Sequence, residues 1–383
     1  MVSTTEFDEL IEVLRDFIRR EVMPAEAGID ESDEIPDRLI AQAKEMGLYG
    51  YALPAEFGGL GLSVRQQVLV TMELGYTSPA FRSLFGTNNG IAGQVLVLAG
   101  TEGQRKQWLP RLASGEVVAS FALTEPDAGS DPSRLVTSAA PVSGSDRDGW
   151  VIDGLKRYIT NAPAADIFMV FARTDPQAPP GKGIGVFIVP ARLDGVAVAA
   201  RDHKMGQAGA WTADVSFSGV RVPADALVGE AAAAGYSTAM RSLAHGRLVI
   251  AAMCVGVMAR LIDESVTYAR ERSQGGHPIA DYQLVQAMLA DSQTEYMAAR
   301  ALVLDAAARY GAGTDQRLAP SAAKYFASEA VGRIADRAVQ IHGGSGYMRG
   351  VPVERLYRDV RLFRIYEGTS QIQQLVIARE MLR

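Results

Sequence analysis

The chain has 383 residues, 48% of them hydrophobic and 21% charged. That is ordinary usage for a folded protein of two or three domains and excludes disorder as its dominant state. Lys and Arg number 38 against 44 Asp and Glu, a net charge of −6, so the broad basic field that nucleic acid or an anionic membrane surface requires is missing. Cys254 is the single cysteine, which rules out an intrachain disulfide and a cysteine-based zinc site.

The opening MVSTTEFDEL has no basic region leading into an apolar stretch, unlike a secretory signal. Residues 1–118 read as helical. Phe7, Leu10, Ile11, Leu14, Phe17 and Ile18 share one helical face; Ser3, Thr4 or Thr5 can cap that helix, and Pro24 marks its end. A glycine-rich loop follows, LPAEFGGLGLS (Leu53–Ser63), then helical patterns around Val64–Leu74 and Gly90–Ala99. Near Val117 the texture changes. VVASFALTE, WVIDGLKRYIT, DIFMVFART, GIGVFIVPA, GVAVAA and TADVSFSGVRVP each read as a strand, and PQAPPGKG (Pro176–Gly183) reads as a loop. Strands without helices between them predict an antiparallel barrel or sandwich over 119–230. From about Ala231 helical patterns return, near Ala244–Arg272, Tyr282–Tyr310 and Pro320–Ile341, with a last helix after Gly368. Long helices with short links predict a bundle over 231–383. The apolar run Leu248–Ala259 is too short to span a bilayer and fits a buried helix. The fold class is α+β, and the default expectation is a soluble cytoplasmic protein with no membrane insertion.

Phosphate-binding P-loops, HExxH, GxSxG and a Rossmann GxGxxG are all missing. The four histidines, His203, His245, His277 and His342, are scattered and predict no metal site. Three segments stand out. In FALTEPDAGSDP (Phe121–Pro132), Thr124, Ser130 and the backbone at Gly129 suit either a polar turn or the edge of a polar cofactor. In KRYITN (Lys156–Asn161), strand alternation puts Tyr158 and Thr160 on one face, for cross-strand packing or for contact with a flat ring. In YEGTSQ (Tyr366–Gln371), Glu367 precedes a helix that Thr369 or Ser370 can cap. It is either an acid favoured by the helix dipole or a carboxylate base whose pKa is raised in an apolar pocket.

Together these segments resemble the acyl-CoA dehydrogenase family over essentially the whole chain. FALTEPDAGSD resembles its first signature, QIHGGSGY (Gln340–Tyr347) with VERLYRD its second, IYEGTSQIQ its catalytic C-terminal segment, and LPAEFGGLGLS its N-terminal loop. The resemblance implies an N-terminal helical domain (1–118), a middle antiparallel β-barrel (119–230) and a C-terminal four-helix bundle (231–383). It implies FAD as cofactor, a homotetramer or homodimer, electron-transferring flavoprotein as acceptor, and α,β-dehydrogenation of an acyl-CoA thioester.

Residue by residue, the resemblance makes Glu367 the base that takes the α-proton. It implies that Thr124, Ser130, Tyr158 and Thr160 contact FAD, with Ser130 also near substrate. Tyr158 stands where the family usually has Trp. Arg272, Gln274, Gln340 and Gly344 would hold the FAD of a neighbouring subunit, Gly343 would also bind the cofactor, and Thr369 and Gln371 would contact the FAD pyrophosphate or adenosine portion. Arg247, Tyr366 and Gly368 would line the substrate site. Some family members carry the base at the position of Gly246, which cannot serve. Ala244 replaces an Asp that often contacts CoA, leaving an acyl-carrier-protein thioester open as substrate. Gly275 stands in place of a common Phe, and Ala208 and Ala210 replace polar residues. SPAFRSLFG (Ser78–Gly86) resembles glutaryl-CoA dehydrogenases, in which an Arg binds a distal carboxylate. Arg82 therefore implies a short or anionic-tailed acyl group, unless it pairs with a protein carboxylate or sits exposed at a helix end. An acyl-CoA oxidase, a desulfinase and a non-catalytic scaffold are the competing readings.

Overall fold

The computed structural model describes residues 3–142 and 145–383. Its N-terminal part is helical: α1 (Thr4–Phe17), α2 (Glu26–Ser32), α3 (Asp37–Glu45), α4 (Val64–Leu74), α5 (Pro79–Asn89), α6 (Ile91–Ala99) and α7 (Glu102–Ala113). Ser3 caps α1: its hydroxyl accepts from the Glu6 N–H, and the Glu6 carboxylate accepts from the Ser3 N–H. Such a reciprocal cap is worth about 1 kcal/mol. The α geometry stops at Phe17, and the chain runs on through a π turn (Ile18–Val22) and a 3₁₀ turn holding Pro24. Phe7, Leu14 and Phe17 are buried with Phe81 and Phe85 of α5.

The middle part is one sheet: β1 (Ala119–Ala122), β2 (Ser138–Val142), β3 (Ser145–Thr160), β4 (Ile167–Arg173), β5 (Ile184–Pro190), β6 (Val196–Val198) and β7 (Thr212–Val222). The strand order is β1-β4-β2-β3-β7-β6, with β5 antiparallel on β4. Two expectations are corrected here. The sheet is mixed, because β1 and β4 pair in parallel: the β2–β3 hairpin lies between them in the chain, so β4 returns in the direction of β1. Among the described residues no ladder joins β6 back to β1 or β5, so backbone pairing does not close a barrel.

Three long helices dominate the C-terminal part: α8 (Gly235–Glu271), α9 (Gln283–Gly311) and α10 (Leu318–His342), followed by α11 (Pro352–Val360) and α12 (Ser370–Met381). A small hairpin of β8 (Ser273–Gln274) and β9 (His277–Pro278) joins α8 to α9. Helices α8, α9 and α10 pack on one another, α12 lies on α10, and α4 packs against both α8 and α9. Among the described residues α8 alone is long and apolar enough to cross a membrane, and 89% of its most apolar stretch is buried inside the molecule. It reads as a core helix because it is apolar on nearly every face. Cys254, on α8, is buried.

A buried ionic cluster ties these parts together. Glu26 accepts from the Thr77 hydroxyl (2.5 Å), the Ser78 N–H (3.0 Å) and Arg355 of α11 (2.6 Å). The Ser78 side chain caps α5, so this cluster fixes the start of the helix that carries Arg82.

Candidate active site

A cavity of about 570 Å³ opens where α5, the ends of β1 and β3, α8 and the turn before α12 meet, a volume typical of small-molecule sites. Of the residues picked out from the sequence, Arg82, Thr124, Ser130, Tyr158, Thr160, Arg247, Tyr366, Glu367 and Gly368 line it. Arg272, Gln274, Gln340, Gly343, Gly344, Thr369 and Gln371 do not. All of these except Thr369 are exposed on this chain. Thr369 instead caps α12, accepting from the Ile372 N–H.

Glu367 dominates the chemistry. It sits at φ 55° with Gly368 at φ 87°, two successive left-handed residues. A residue with a Cβ tolerates that conformation only under constraint. The carbonyls of this turn are held: Gln373 Nε2 donates to Glu367 O (3.1 Å) and Gly368 O (3.0 Å), and Lys324 Nζ donates to Gly368 O (2.6 Å). The Glu367 N–H has no acceptor among the described residues. Carboxylate oxygen Oε2 is sealed from solvent and has no hydrogen-bond partner. Burial pushes the Glu367 pKa up from 4.5 to about 7, against the pull of Arg82, Arg247 and Lys324. This is the reverse of the depression that a helix-dipole acid would show.

The room for that carboxylate comes from α8. A Cβ on Gly246 would lie 2.6 Å from Oε2 and 3.0 Å from the other two carboxylate atoms. The sequence comparison of Gly246 with Glu367 thus has a steric counterpart: here the two positions cannot both carry a side chain without a shift.

Arg82 and Arg247 flank the Glu367 carboxyl. Arg247, on α8, makes a long contact to Ser321 (3.4 Å) and its Nε is buried without a partner; burial lowers its pKa despite the nearby Glu367. Arg82 is partly buried and its Nε also lacks a partner. Its guanidinium lies over Gly86, where an added Cβ would come within 2.7 Å of Nη1. Among the described residues neither arginine forms an ion pair, so Arg82 is not matched by a protein carboxylate. His245 is a core histidine: its Nε2 meets Gln67 Oε1 at 2.9 Å, and burial lowers its pKa to about 4.

The opposite wall joins the first two sequence segments. The Arg157 N–H donates to Thr124 O at 2.9 Å, and the Ser120 hydroxyl to Thr160 O at 2.7 Å. Tyr158 breaks strand alternation: it sits at φ 57° in a bulge of β3 and is 60% exposed. The regular alternation expected between Tyr158 and Thr160 is therefore interrupted by a bulge, yet both residues line the cavity. Asn161, also left-handed, donates to Ser83 O (2.8 Å) and to the Thr87 hydroxyl (3.0 Å), tying β3 to the Arg82 helix.

Behind this wall lies a buried pair. Lys156 Nζ donates to Glu125 (2.8 Å) and to Leu123 O (3.2 Å). Glu125 also accepts from the N–H groups of Val136 and Thr137. Burial raises the Glu125 pKa, but the Lys156 charge and these hydrogen bonds outweigh it and hold the carboxyl below its ordinary range.

Residues outside the sequence candidates also belong to the site. Gln207, left-handed at φ 54°, lines the cavity and is pinned by its N–H to the buried Asp359 carboxylate. Its signal is a backbone conformation, invisible in sequence. Lys324 and Gln373 hold the Glu367 turn from behind.

The helical N-terminal part, the central sheet and the helical C-terminal part thus converge on one buried carboxyl in a cavity. The chain matches the sequence models of the acyl-CoA dehydrogenase N-terminal domain (residues 4–116), middle domain (120–220) and C-terminal domain (233–382). It is 38% identical to the 3-(aryl)acrylate reductase of Clostridium sporogenes, covering 99% of both chains. It is also 38% identical to the CarC subunit of the caffeyl-CoA reductase–Etf complex of Acetobacterium woodii, covering 96% of both. The butyryl-CoA dehydrogenase structure from Megasphaera elsdenii superposes with a TM-score of 0.94 at 31% identity over 100% of both chains. The chain belongs to the acyl-CoA dehydrogenase family.

Proposed function

We propose that the protein catalyses α,β-dehydrogenation of a short or anionic-tailed acyl thioester, with FAD as cofactor and Glu367 as the base. One observation carries this reading: Glu367 lines a cavity with Arg82 and Arg247, and one oxygen of its carboxylate and the Nε of each arginine are buried without a hydrogen-bond partner. A buried charge left unpaired is costly, so it marks where a ligand group belongs.

The residues present fit FAD. Thr124, Thr160 and Ser130 offer hydroxyls along the cavity wall, and the exposed Tyr158 ring offers a stacking surface. Arg272, Gln274, Gln340, Gly343, Gly344, Thr369 and Gln371 would serve its phosphate and adenosine parts, those on the α8–α10 edge across a homotetramer or homodimer. Bound FAD supplies the hydride acceptor. The protein supplies the rest. An α-C–H is too weak an acid for an ordinary carboxylate in water, and burial brings the Glu367 pKa near neutrality, where a base is most effective. The Glu367 N–H, which has no acceptor among the described residues, would donate to the thioester carbonyl as charge develops there. Tyr366, Gly368 and Arg247 line the substrate side. Ala244 leaves the carrier open between CoA and acyl carrier protein, and electron-transferring flavoprotein is the proposed acceptor of a soluble, cytoplasmic enzyme.

Two relatives bear the names of reductases, which favours testing the reverse reaction on the same residues. Anaerobic mixing with straight, branched, aromatic and dicarboxylic acyl-CoAs should bleach the yellow protein. If the protein is reduced beforehand and enoyl-CoAs restore the colour while no acyl-CoA removes it, the working direction is reduction. A protein that purifies colourless and responds to neither series rules out the flavoenzyme reading.

Two variants probe the cavity. Arg82→Ala should lower flavin reduction by glutaryl-CoA about 100-fold more than reduction by butyryl-CoA, because a charge-assisted contact is lost only with the former. An equal effect on both substrates removes the anionic tail from the proposal. Gly246→Ala should displace the Glu367 carboxylate and slow flavin reduction about 10- to 100-fold with thermal stability nearly unchanged. Wild-type kinetics in that variant would show that the carboxylate has another productive position.

A further inference from the structure

Lys324 is 0% exposed, on the face of α10 that packs among Ala323, Ala327 and the apolar side chains of α8. An ammonium is rarely buried so deeply without a strong reason. Its hydrogen bond is to a backbone carbonyl, Gly368 O at 2.6 Å, rather than to a carboxylate. That carbonyl closes the doubly left-handed turn of Glu367 and Gly368. Gln373 holds the same turn, but it belongs to the helix that follows the turn and moves with it. Lys324 belongs to a different helix, α10, so its contact fastens the carbonyl of the turn itself to the helical core; just beyond the turn the Ser370 hydroxyl donates to Glu329 of the same helix (2.5 Å).

We propose that Lys324 is a positioning residue: from inside the helical core it holds the Gly368 carbonyl and so keeps the strained turn in the orientation that aims the Glu367 carboxylate into the cavity. This rests on Glu367 being the base. The charged and titratable groups facing Lys324 are Cys254 and Arg247 from α8, Glu329 from α10 and Glu367 from the turn. Glu367 is faced in addition by Arg82 from α5. The ammonium favours the ionised form of Glu367, so its removal shifts the titration of the base upward.

The test uses the flavin-loaded protein and anaerobic flavin reduction by butyryl-CoA or glutaryl-CoA, whichever reduces the wild type faster. In Lys324→Met the limiting rate should fall at least about 10-fold while half-saturation stays within about threefold. The acidic limb of its pH–rate profile should move up by about one pH unit. Lys324→Gln keeps a donor for the Gly368 carbonyl without the charge; it should reduce flavin faster than Lys324→Met with its limb moved by the same amount. A yellow, folded Lys324→Met with a rate within about twofold of wild type and an unmoved limb overturns the proposal. If Lys324→Met does not fold, an unmoved limb in Lys324→Gln overturns it equally. Glu367→Gln, run alongside, separates the two readings. If it still reduces flavin, the assignment of the base has failed; if it is inactive while both Lys324 variants behave as wild type, only the role of Lys324 has.

Discussion

Glu367→Gln abolishes flavin reduction by acyl thioesters, with a loss of at least about 1,000-fold, and at the same time makes the protein more stable at pH 8. Both effects come from one property of the site. Glutamine has nearly the same shape and keeps the N–H of the turn, but it cannot accept a proton from the α-carbon. The gain in stability follows from linkage. The Glu367 carboxyl has a pKa of about 7 in the folded chain against 4.5 for an ordinary glutamate, so the native state binds more protons than the unfolded state between those values. Stability contributed by this residue therefore falls as pH rises from about 4.5 to 7 and stays low above that. The full penalty is of the order of 3 kcal/mol, and an uncharged side chain avoids it. Thermal melts at pH 5 and pH 8 should show the variant close to the wild type at the lower pH and clearly above it at the higher one. A variant less stable than wild type at pH 8 would mean that the Glu367 carboxylate is satisfied by the protein and is not held ready for a substrate. In the wild type, the rate of flavin reduction should rise with pH through about 7 in the free enzyme, as the base ionises.

The parts of this site that the sequence made legible are those whose chemistry is local. Glu367 beside Gly368 and a cap residue, Thr124 and Ser130 in a polar turn, and Tyr158 near Thr160 all stand out within ten residues of chain. The structure brings these three segments to one cavity. Helices with a strong apolar period were legible too: the pattern at Val64–Leu74 coincides with α4, and that near Pro320–Ile341 with α10. What was not legible depends on partners far apart in the chain. The parallel pairing of β1 and β4 leaves no mark on either strand's own pattern. Helix α8 begins at Gly235 rather than near Ala244, because its first turns carry polar residues such as Ser237 and Arg241. Helix α7 is mostly polar and contains Pro110; its one local signal is the reciprocal cap between Thr101 and Gln104. A lysine within a helical pattern reads as a solvated face, so nothing in the sequence separates the buried Lys324 from an exposed one. The bulge at Tyr158 follows from β3 losing register against β7 between Lys156 and Ile159, and a run of strand-forming residues conceals it.

Lys156→Met destabilises the protein by about 3–5 kcal/mol and removes the flavin. Lys156 and Glu125 are 31 residues apart in the chain, and their side chains are 0% and 2% exposed. A pair so deeply buried adds little net stability, since desolvation offsets most of the attraction, but the loss of one member leaves the other charged with nothing to answer it. In this variant the Glu125 carboxylate keeps only the N–H groups of Val136 and Thr137. The Leu123 carbonyl loses its donor as well, which frees the backbone next to Thr124 at the cavity wall. The two consequences separate experimentally. Glu125→Gln with Lys156→Met removes both charges while keeping an acceptor oxygen for one of those N–H groups, so urea denaturation should recover most of the lost stability. The Leu123 carbonyl remains without its donor in the double variant, so the visible flavin absorbance relative to protein should stay low. If restoring stability also restores the flavin, the pair acts on the cofactor only through the fold. If Lys156→Met stays yellow and melts as the wild type does, the buried pair is not what holds this wall of the cavity in place.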